Sequence, residues 1–359
     1  MNVRQTSRIQ ELITEERLYE ILGRMRQVKI AIVGDFFLDK YLVIDPSRSE
    51  ASLETGLEAY QVVETRHSPG AAGTVAANLI AMGVGAVHAV GFCGDDGEGY
   101  ELRQGLRRLG VSDERLITIG AVHTPTYMKP MRIGADGAET EMNRLDRKNW
   151  CPLNREVEER IIQAICEIVA MVDGIIIGDQ VQERNHGAVS DKIRDELSRC
   201  AKEHADKIFL ADSRMRVGEF RYMNVKPNQQ EAAKAMSYKF AKSNAHNDEQ
   251  AARCGKALSE QVEGRVFLTL GSEGMLVIGG DSTIRVPAVP VSGPIDIVGA
   301  GDSAGAGLIA ALCAGATPEE AAAIANLAAS ITIRKLGTTG TADAGEIIES
   351  YEFCSGMKF

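Results

Sequence analysis

The stretch DIVGAGDSAGAGLIAAL at residues 296–312 decides how the rest of the chain is read. An apolar approach over residues 289–298 runs into Gly299-Ala300-Gly301-Asp302, and small residues of helical character follow. That helix ends at Gly315, a residue suited to the left-handed position after a helix. The next begins at Thr317-Pro318-Glu319-Glu320: Thr317 can cap, Pro318 takes the first position, and Glu320 completes a capping box. Residues 299–302 therefore form a helix N-terminus after a tight turn. Such a place offers unpaired N–H groups and a positive dipole end, and small residues let a phosphate approach the backbone. A carboxylate there repels an anion. Asp302 makes sense as a base that takes a proton from an attacking hydroxyl while the amides stabilise phosphoryl charge. Two other readings stand beside this one. Asp302 can be a plain N-cap with the glycines as packing devices. Gly299-x-Gly301-x-x-Ala304 also fits a dinucleotide fingerprint, but that needs a second strand and an acidic residue about 20 positions later. A second alanine-rich helix follows instead.

Upstream, short apolar runs alternate with helical patterns. VKIAIVG at 28–34, AVHAVGF at 86–92, GIIIG at 174–178, KIFLAD at 207–212 and RVFLTLG at 265–271 are apolar almost throughout. Strands read this way when helices cover both faces of a parallel sheet. Helical patterns lie before Gln27, near 97–109 and from about 187 to 204. The alternation predicts an α/β fold with a doubly wound parallel sheet flanked by helices. Residues 41–66 and 125–146 break the rhythm with short strands and turns, including GADG at 134–137, and predict a small β lid. One domain over residues 1–359 carrying that lid is expected.

Hydrophobic residues make up 44% and charged residues 25%, as in ordinary globular chains. No apolar run reaches the roughly 18 residues of a membrane span, and the N-terminus lacks the apolar centre of a signal peptide. A cytoplasmic protein with no membrane partner is expected. The net charge of −10 opposes a nucleic-acid partner, and Arg103, Arg107 and Arg108 read as one solvated helix face. Seven scattered cysteines form no CxxC pair and no zinc spacing, and read as reduced thiols.

The turn Asp296-Ile-Val-Gly299-Ala300-Gly301-Asp302 is similar to the D-x-x-G-A-G-D signature of the PfkB, or ribokinase-like, family of carbohydrate kinases. Further motifs in the family's order extend the resemblance from about Lys29 to Ile348. It implies a ribokinase-like fold and Mg2+- and ATP-dependent phosphorylation of a sugar or sugar-phosphate hydroxyl. Asp302 would be the catalytic base, with the backbone N–H groups of Gly299, Ala300 and Gly301 as an anion hole. Gly34-Asp35-x-x-x-Asp39 resembles the acidic pair that binds sugar hydroxyls, a task suited to carboxylate acceptors; two solvated strand-end residues are the plain alternative. Pro69-Gly70-Ala71-Ala72-Gly73 resembles the glycine-rich sugar-site signature, which implies substrate-binding roles for Gly70, Ala71 and Ala72. Asn228-x-x-Glu231 resembles the motif that holds Mg2+ through its water shell, in keeping with a cation that retains several waters. Lys226, Thr269, Gly271, Gly274, Lys335 and Gly337 are the implied nucleotide-binding residues. The two β segments would close over the sugar and exclude water. A homodimer through the lid and a monovalent cation near Asp296 also come with the resemblance.

Within the family, GDFFLDKY at 34–41, Ser47-Arg48-Ser49, Arg144-Leu145-Asp146 and KLGT at 335–338 resemble the bacterial heptose 7-phosphate kinases, which act on an anomeric hydroxyl. Arg144 is accordingly a substrate-binding candidate. Arg132, Arg144 and Arg214 can each hold an anionic sugar phosphate or serve as surface ion-pair residues. The chain has no room for the nucleotidyltransferase domain sometimes fused to such kinases. It departs from their pattern at three places. Pro69 and Gly73 alter G-G-A-A-N, Asp179-Gln180-Val181-Gln182-Glu183 replaces D-Y-x-K-G, and Asp212-Ser213-Arg214 replaces D-P-K. These departures keep two alternatives open: another PfkB-type sugar or nucleoside kinase, and a catalytically reduced sugar- or nucleotide-binding sensor.

Overall fold

The strand Lys29–Gly34 shows why the central runs are apolar throughout. Ile30 and Ile32 enter one core, whereas Ala31 and Val33 enter another on the opposite face of the sheet. The computed structural model describes residues 3–238, 248–337 and 339–356. Its main sheet has ten strands in the order Arg4–Gln5, Ser282–Val286, Met275–Gly279, Val266–Thr269, Asn224–Val225, Ile208–Ser213, Gly174–Asp179, Lys29–Gly34, Ala86–Gly94, Ser112–Ile119. Pairing is parallel from Val266–Thr269 to Ser112–Ile119. At the other edge, Met275–Gly279 and Ser282–Val286 are antiparallel, so the sheet is mixed rather than wholly parallel. The cause is local: a two-residue loop with Gly280 at φ 58° can join only antiparallel neighbours.

Helices cover both faces. The core on one side takes side chains from Glu15–Met25, Ala72–Ala81, Gly97–Leu109, Ala300–Cys313, Pro318–Thr332 and Ala344–Gly356. The other takes them from Arg155–Val169, Asp191–Glu203 and Asp248–Val262. Ala300–Cys313 and Pro318–Thr332 pack closely, because a Cβ on Gly307 would lie 3.1 Å from the Ala325 Cα. Gly315 takes φ 87°, and Thr317 and Glu320 form the expected capping box. The apolar approach over 289–298 is irregular and largely exposed rather than a strand.

A second, five-stranded sheet combines Phe36–Ile44, Val62–Ala71, Thr126–Ile133, Glu139–Glu141 and Leu145–Arg147. It reaches further than segments 41–66 and 125–146, because Phe36–Ile44 begins one residue after the main-sheet strand ends and Val62–Ala71 runs into a helix. Alternation along a strand does not show which sheet the strand joins, so this boundary is set by tertiary pairing. Among the described residues no helix is long and apolar enough to cross a membrane, and all seven cysteines are free.

Candidate active site

Asp35, Asp179, Asp212 and Lys226 all lie at carboxyl ends of parallel strands, where open α/β sheets bind ligands. The helix Ala300–Cys313 starts beside them. Gly299 is its N-cap at φ 82°, a left-handed conformation that glycine adopts without steric penalty. Asp302 is therefore the third helical residue and caps nothing, which removes the plain N-cap reading. The Ala300 N–H donates to the Ile297 carbonyl at 3.2 Å. The amides of Gly299, Gly301 and Asp302 reach no acceptor among the described residues and are the donors left for an anion, so Asp302 takes the place expected for Ala300.

Lys226 lies within 2.8 Å of Asp212 and is almost wholly buried. Its side chain also runs past Gly301 and Gly305, where added Cβ atoms would meet it at 3.7 and 3.3 Å. Burial works against the ammonium, yet Asp212, with Glu231 and Asp302, holds its pKa above the ordinary value. Asp302 is pushed up to about 7, by burial first and by the Asp212 charge next, while Lys226 and Arg214 pull the other way. A carboxylate poised near neutrality suits general-base work. These groups form one charged cluster at the centre of the site.

On one side of Asp302, a small cavity is lined by Ala71, Ala72, Gln180 and Asp212. Nearby, Phe37, Tyr127, Lys148, Gln180, His186 and Arg214 line a second, polar cavity. Asp39 lies 3.3 Å from Lys129, and a Cβ on Gly70 would stand 2.9 Å from its carboxylate, so glycine permits this close approach. Ala71 takes φ 52°, a strained conformation of the kind that gathers at functional sites. Arg144 stacks 4.1 Å over the Tyr127 ring and pairs with Asp146 of the second sheet, where it is exposed, as is Arg132. Arg214 donates to the Gln180 Oε1 at 2.6 Å.

Asp35 corrects the sequence reading. Its Oδ2 accepts the N–H groups of Gln180 and Val181 at 2.8 and 3.0 Å, and its Oδ1 accepts that of Ala188 at 2.6 Å. A Cβ on Gly187 would come within 2.5 Å of the same carboxylate. The carboxylate is no solvated strand-end group; it is buried and holds the 180–188 loop. Burial, followed by the Asp179 charge, raises its pKa to about 6 despite the three donors. Beneath the loop, Asp179 binds Ser213 and Arg216, and Arg216 donates to the carbonyls of Val181 and Gln182.

On the other side of Asp302 lies a larger, mainly apolar cleft of about 470 Å³. Thr269, Gly271 and Gly274 line it, together with Ala300 and Gly301. Gly274 adopts φ 91°, and a Cβ there would strike the Val286 carbonyl at 2.2 Å. Lys335 does not line it: its ammonium binds Glu346 and the Thr341 carbonyl and so anchors the last helix. Gly337 supplies a turn at φ 70° outside the lining, and Thr338 lies outside the described residues. The sequence reading missed Val289, Ile295, Ile297 and Asn326, because an apolar loop and an alanine-rich helix carry no local sign of a cleft.

Asn228 and Glu231 form a reciprocal capping box, with side-chain to backbone bonds of 2.9 and 2.8 Å. Asn228 thereby positions Glu231, whose Oε2 is engaged and whose Oε1 is left for a cation's water shell. Burial, then Asp212, raises the Glu231 pKa. No group of three acidic, His or Cys side chains among the described residues makes a closed metal cage. A sparse carboxylate set beside an anion site fits Mg2+, which keeps waters and takes phosphate oxygens as ligands. Asp296 accepts the Val298 N–H at 3.0 Å, and its own N–H binds the Ile333 carbonyl.

Comparison with known proteins bears on the family and the fold. The bifunctional protein HldE of Gluconobacter oxydans is 27% identical over 311 residues, covering 86% of this chain and 62% of the relative. That of Desulfatibacillum aliphaticivorans is 29% identical over 321 residues, covering 89% and 62%. The chain thus spans less than two thirds of these relatives. Arabidopsis thaliana ribokinase complexed with ribose and ATP superposes with a TM-score of 0.64 at 18% identity, covering 91% of this chain and 99% of that one. Escherichia coli phosphofructokinase-2 in complex with potassium gives 0.67 at 18%, again covering 91% and 99%. These likenesses establish a ribokinase-like fold. Residues 38–344 match the model of the pfkB family of carbohydrate kinases, and the chain belongs to that family.

Proposed function

We propose that the chain transfers the γ-phosphoryl group of ATP to a hydroxyl of a sugar or sugar phosphate, with the anomeric hydroxyl of a heptose 7-phosphate as the first acceptor to test. The observation that carries this reading is the position of Asp302. It lines a small cavity that shares Gln180 with the polar cavity of Tyr127 and Arg214, while its neighbours Ala300 and Gly301 line the larger apolar cleft. An acceptor entering from the polar cavity and a nucleotide in the cleft would meet at the helix N-terminus.

Asp302 takes the proton from the attacking hydroxyl, whose oxygen forms the new bond to phosphorus as the bond to the ADP oxygen breaks. The free amides at residues 299, 301 and 302, together with Lys226, hold the charge on the transferring group. Each donor of this kind is worth about 2.7–4 kcal/mol. Mg2+, held through water by Glu231, would supply neutralisation of the polyphosphate charge. Asp39 and Arg214 face the acceptor side, and the second sheet shields it from water. Catalysis rests on positioning and charge rather than covalent chemistry, as phosphoryl transfer generally requires.

The test is ADP release with Mg·ATP across pentoses, hexoses, a heptose 7-phosphate and nucleosides. Acceptor-dependent turnover should fall by about 10²–10⁴-fold in Asp302→Asn. Turnover that survives this substitution would remove Asp302 from the base role.

A further inference from the structure

Far from the cleft and the polar cavity, the helix Arg155–Val169 packs against the helix Asp191–Glu203 and brings two cysteines to one carboxylate. The Cys166 Sγ lies 3.1 Å from the Glu196 Oε1, and the Cys200 Sγ lies 3.7 Å from the same oxygen. Both thiols donate to it, so the two sulfurs are neighbours. A change of χ1 rotamer is the motion that brings neighbouring sulfurs to bonding distance. Cys166 is exposed, whereas Cys200 is 2% exposed and stands behind it. Arg199 binds both oxygens of Glu196, and Glu203 takes another nitrogen of that guanidinium. Burial first, and the Glu196 carboxylate next, raise the pKa of both thiols, that of Cys200 to about 12.

We propose that Cys166 and Cys200 form a dithiol site that a peroxide closes to a disulfide, with Glu196 as the brake on closure. The exposed Cys166 loses its proton and attacks one peroxide oxygen. The O–O bond breaks, water leaves, and the sulfur becomes a sulfenic acid. Cys200 then loses its proton and attacks that sulfur; the S–O bond breaks and a second water leaves. One peroxide is thus reduced to two waters as two thiols become one disulfide. Glu196 slows both attacks, because it accepts the thiol protons and repels the thiolates that must form. The chain between the cysteines holds the strand Gly174–Asp179 and the 180–188 loop, so the bond would brace the frame of the polar cavity.

The test treats the reduced full chain with hydrogen peroxide near neutral pH and maps its peptides by mass spectrometry without reduction. A peptide pair joining Cys166 to Cys200, released by dithiothreitol, should form slowly in the wild type. Glu196→Gln removes the negative charge and leaves the Arg199 cation beside both sulfurs, so the link should form about 3- to 10-fold faster. Each unit of pKa yields about ten times more thiolate, offset roughly threefold by its weaker nucleophilicity. Cys200→Ser leaves the Glu196–Arg199 pair in place and should carry Cys166 on to the sulfinic acid, because nothing then resolves the sulfenic acid. Absence of the Cys166–Cys200 link in the wild type and in folded Glu196→Gln overturns the site. Equal rates in those two proteins overturn the brake. A Cys166 that stays a thiol in Cys200→Ser overturns the order of attack.

Discussion

Asp302 combines two properties that pull against each other. Its pKa of about 7 lies above the 3.8 of an ordinary carboxyl, so between those values the folded state binds a proton that the unfolded state has lost. Stability from this group is therefore full below about 3.8 and is lost as pH rises through about 7. Catalysis needs the opposite, an ionised base. The kcat/KM should accordingly climb through a pH near 7 and level off above it. Asp302→Asn should abolish the climb while raising the melting temperature more at pH 8 than at pH 5.5. A wild-type profile that is flat from pH 5.5 to 8.5 would contradict the base assignment. Asp302 itself was legible in its motif. Its raised pKa was not, since that depends on burial and on the Asp212 charge, both set by the fold.

The 180–188 loop shows how an element can hold a site without touching a ligand. It lacks regular structure and is fixed by Asp35 from above and Arg216 from below. Gln180, the first residue of the loop, accepts from Arg214 at 2.6 Å in the polar cavity. Asp35→Asn puts an amide nitrogen where a carboxylate oxygen accepted an N–H. Hydrogen bonds to charged groups are worth about 1.5–3 kcal/mol each, so the loop should loosen. The expected result is a rise of about 10-fold or more in the KM for the acceptor, with the KM for ATP little changed, because the nucleotide cleft is built from other elements. An unchanged acceptor KM, or an equal rise in both, would show that the loop does not position Arg214. The capping box at Thr317 was readable because its partner lies three residues on, whereas the same spacing at Asn228 and Glu231 was read as a metal motif.

At the scale of the molecule, the two sheets are joined beside the small cavity at Asp302. Only Asp35 separates the main-sheet strand Lys29–Gly34 from Phe36–Ile44, and Val62–Ala71 ends at the strained Ala71 beside Asp302. An acceptor would therefore touch the root of the second sheet, whereas a nucleotide would lie against the opposite cleft. Amide hydrogen exchange should show added protection across Phe36–Ile44, Val62–Ala71 and Thr126–Ile133 when acceptor binds. A nucleotide analogue alone should leave those strands nearly unchanged. Equal protection by either ligand would mean that this sheet does not respond to the acceptor. Sequence alone determined the α/β alternation, the glycine turn at 299–302, the Thr317 cap and the place of Asp302 at the helix start, since each rests on residues close together in the chain. Tertiary structure decided which strands form the second sheet, that Asp35 holds a loop, that Lys335 anchors a helix, and that Asn326 lines a cleft. Those outcomes depend on groups brought together across the fold, 145 and 153 residues apart for Asp35 and two of its donors, and no local pattern encodes which distant amide fills a carboxylate.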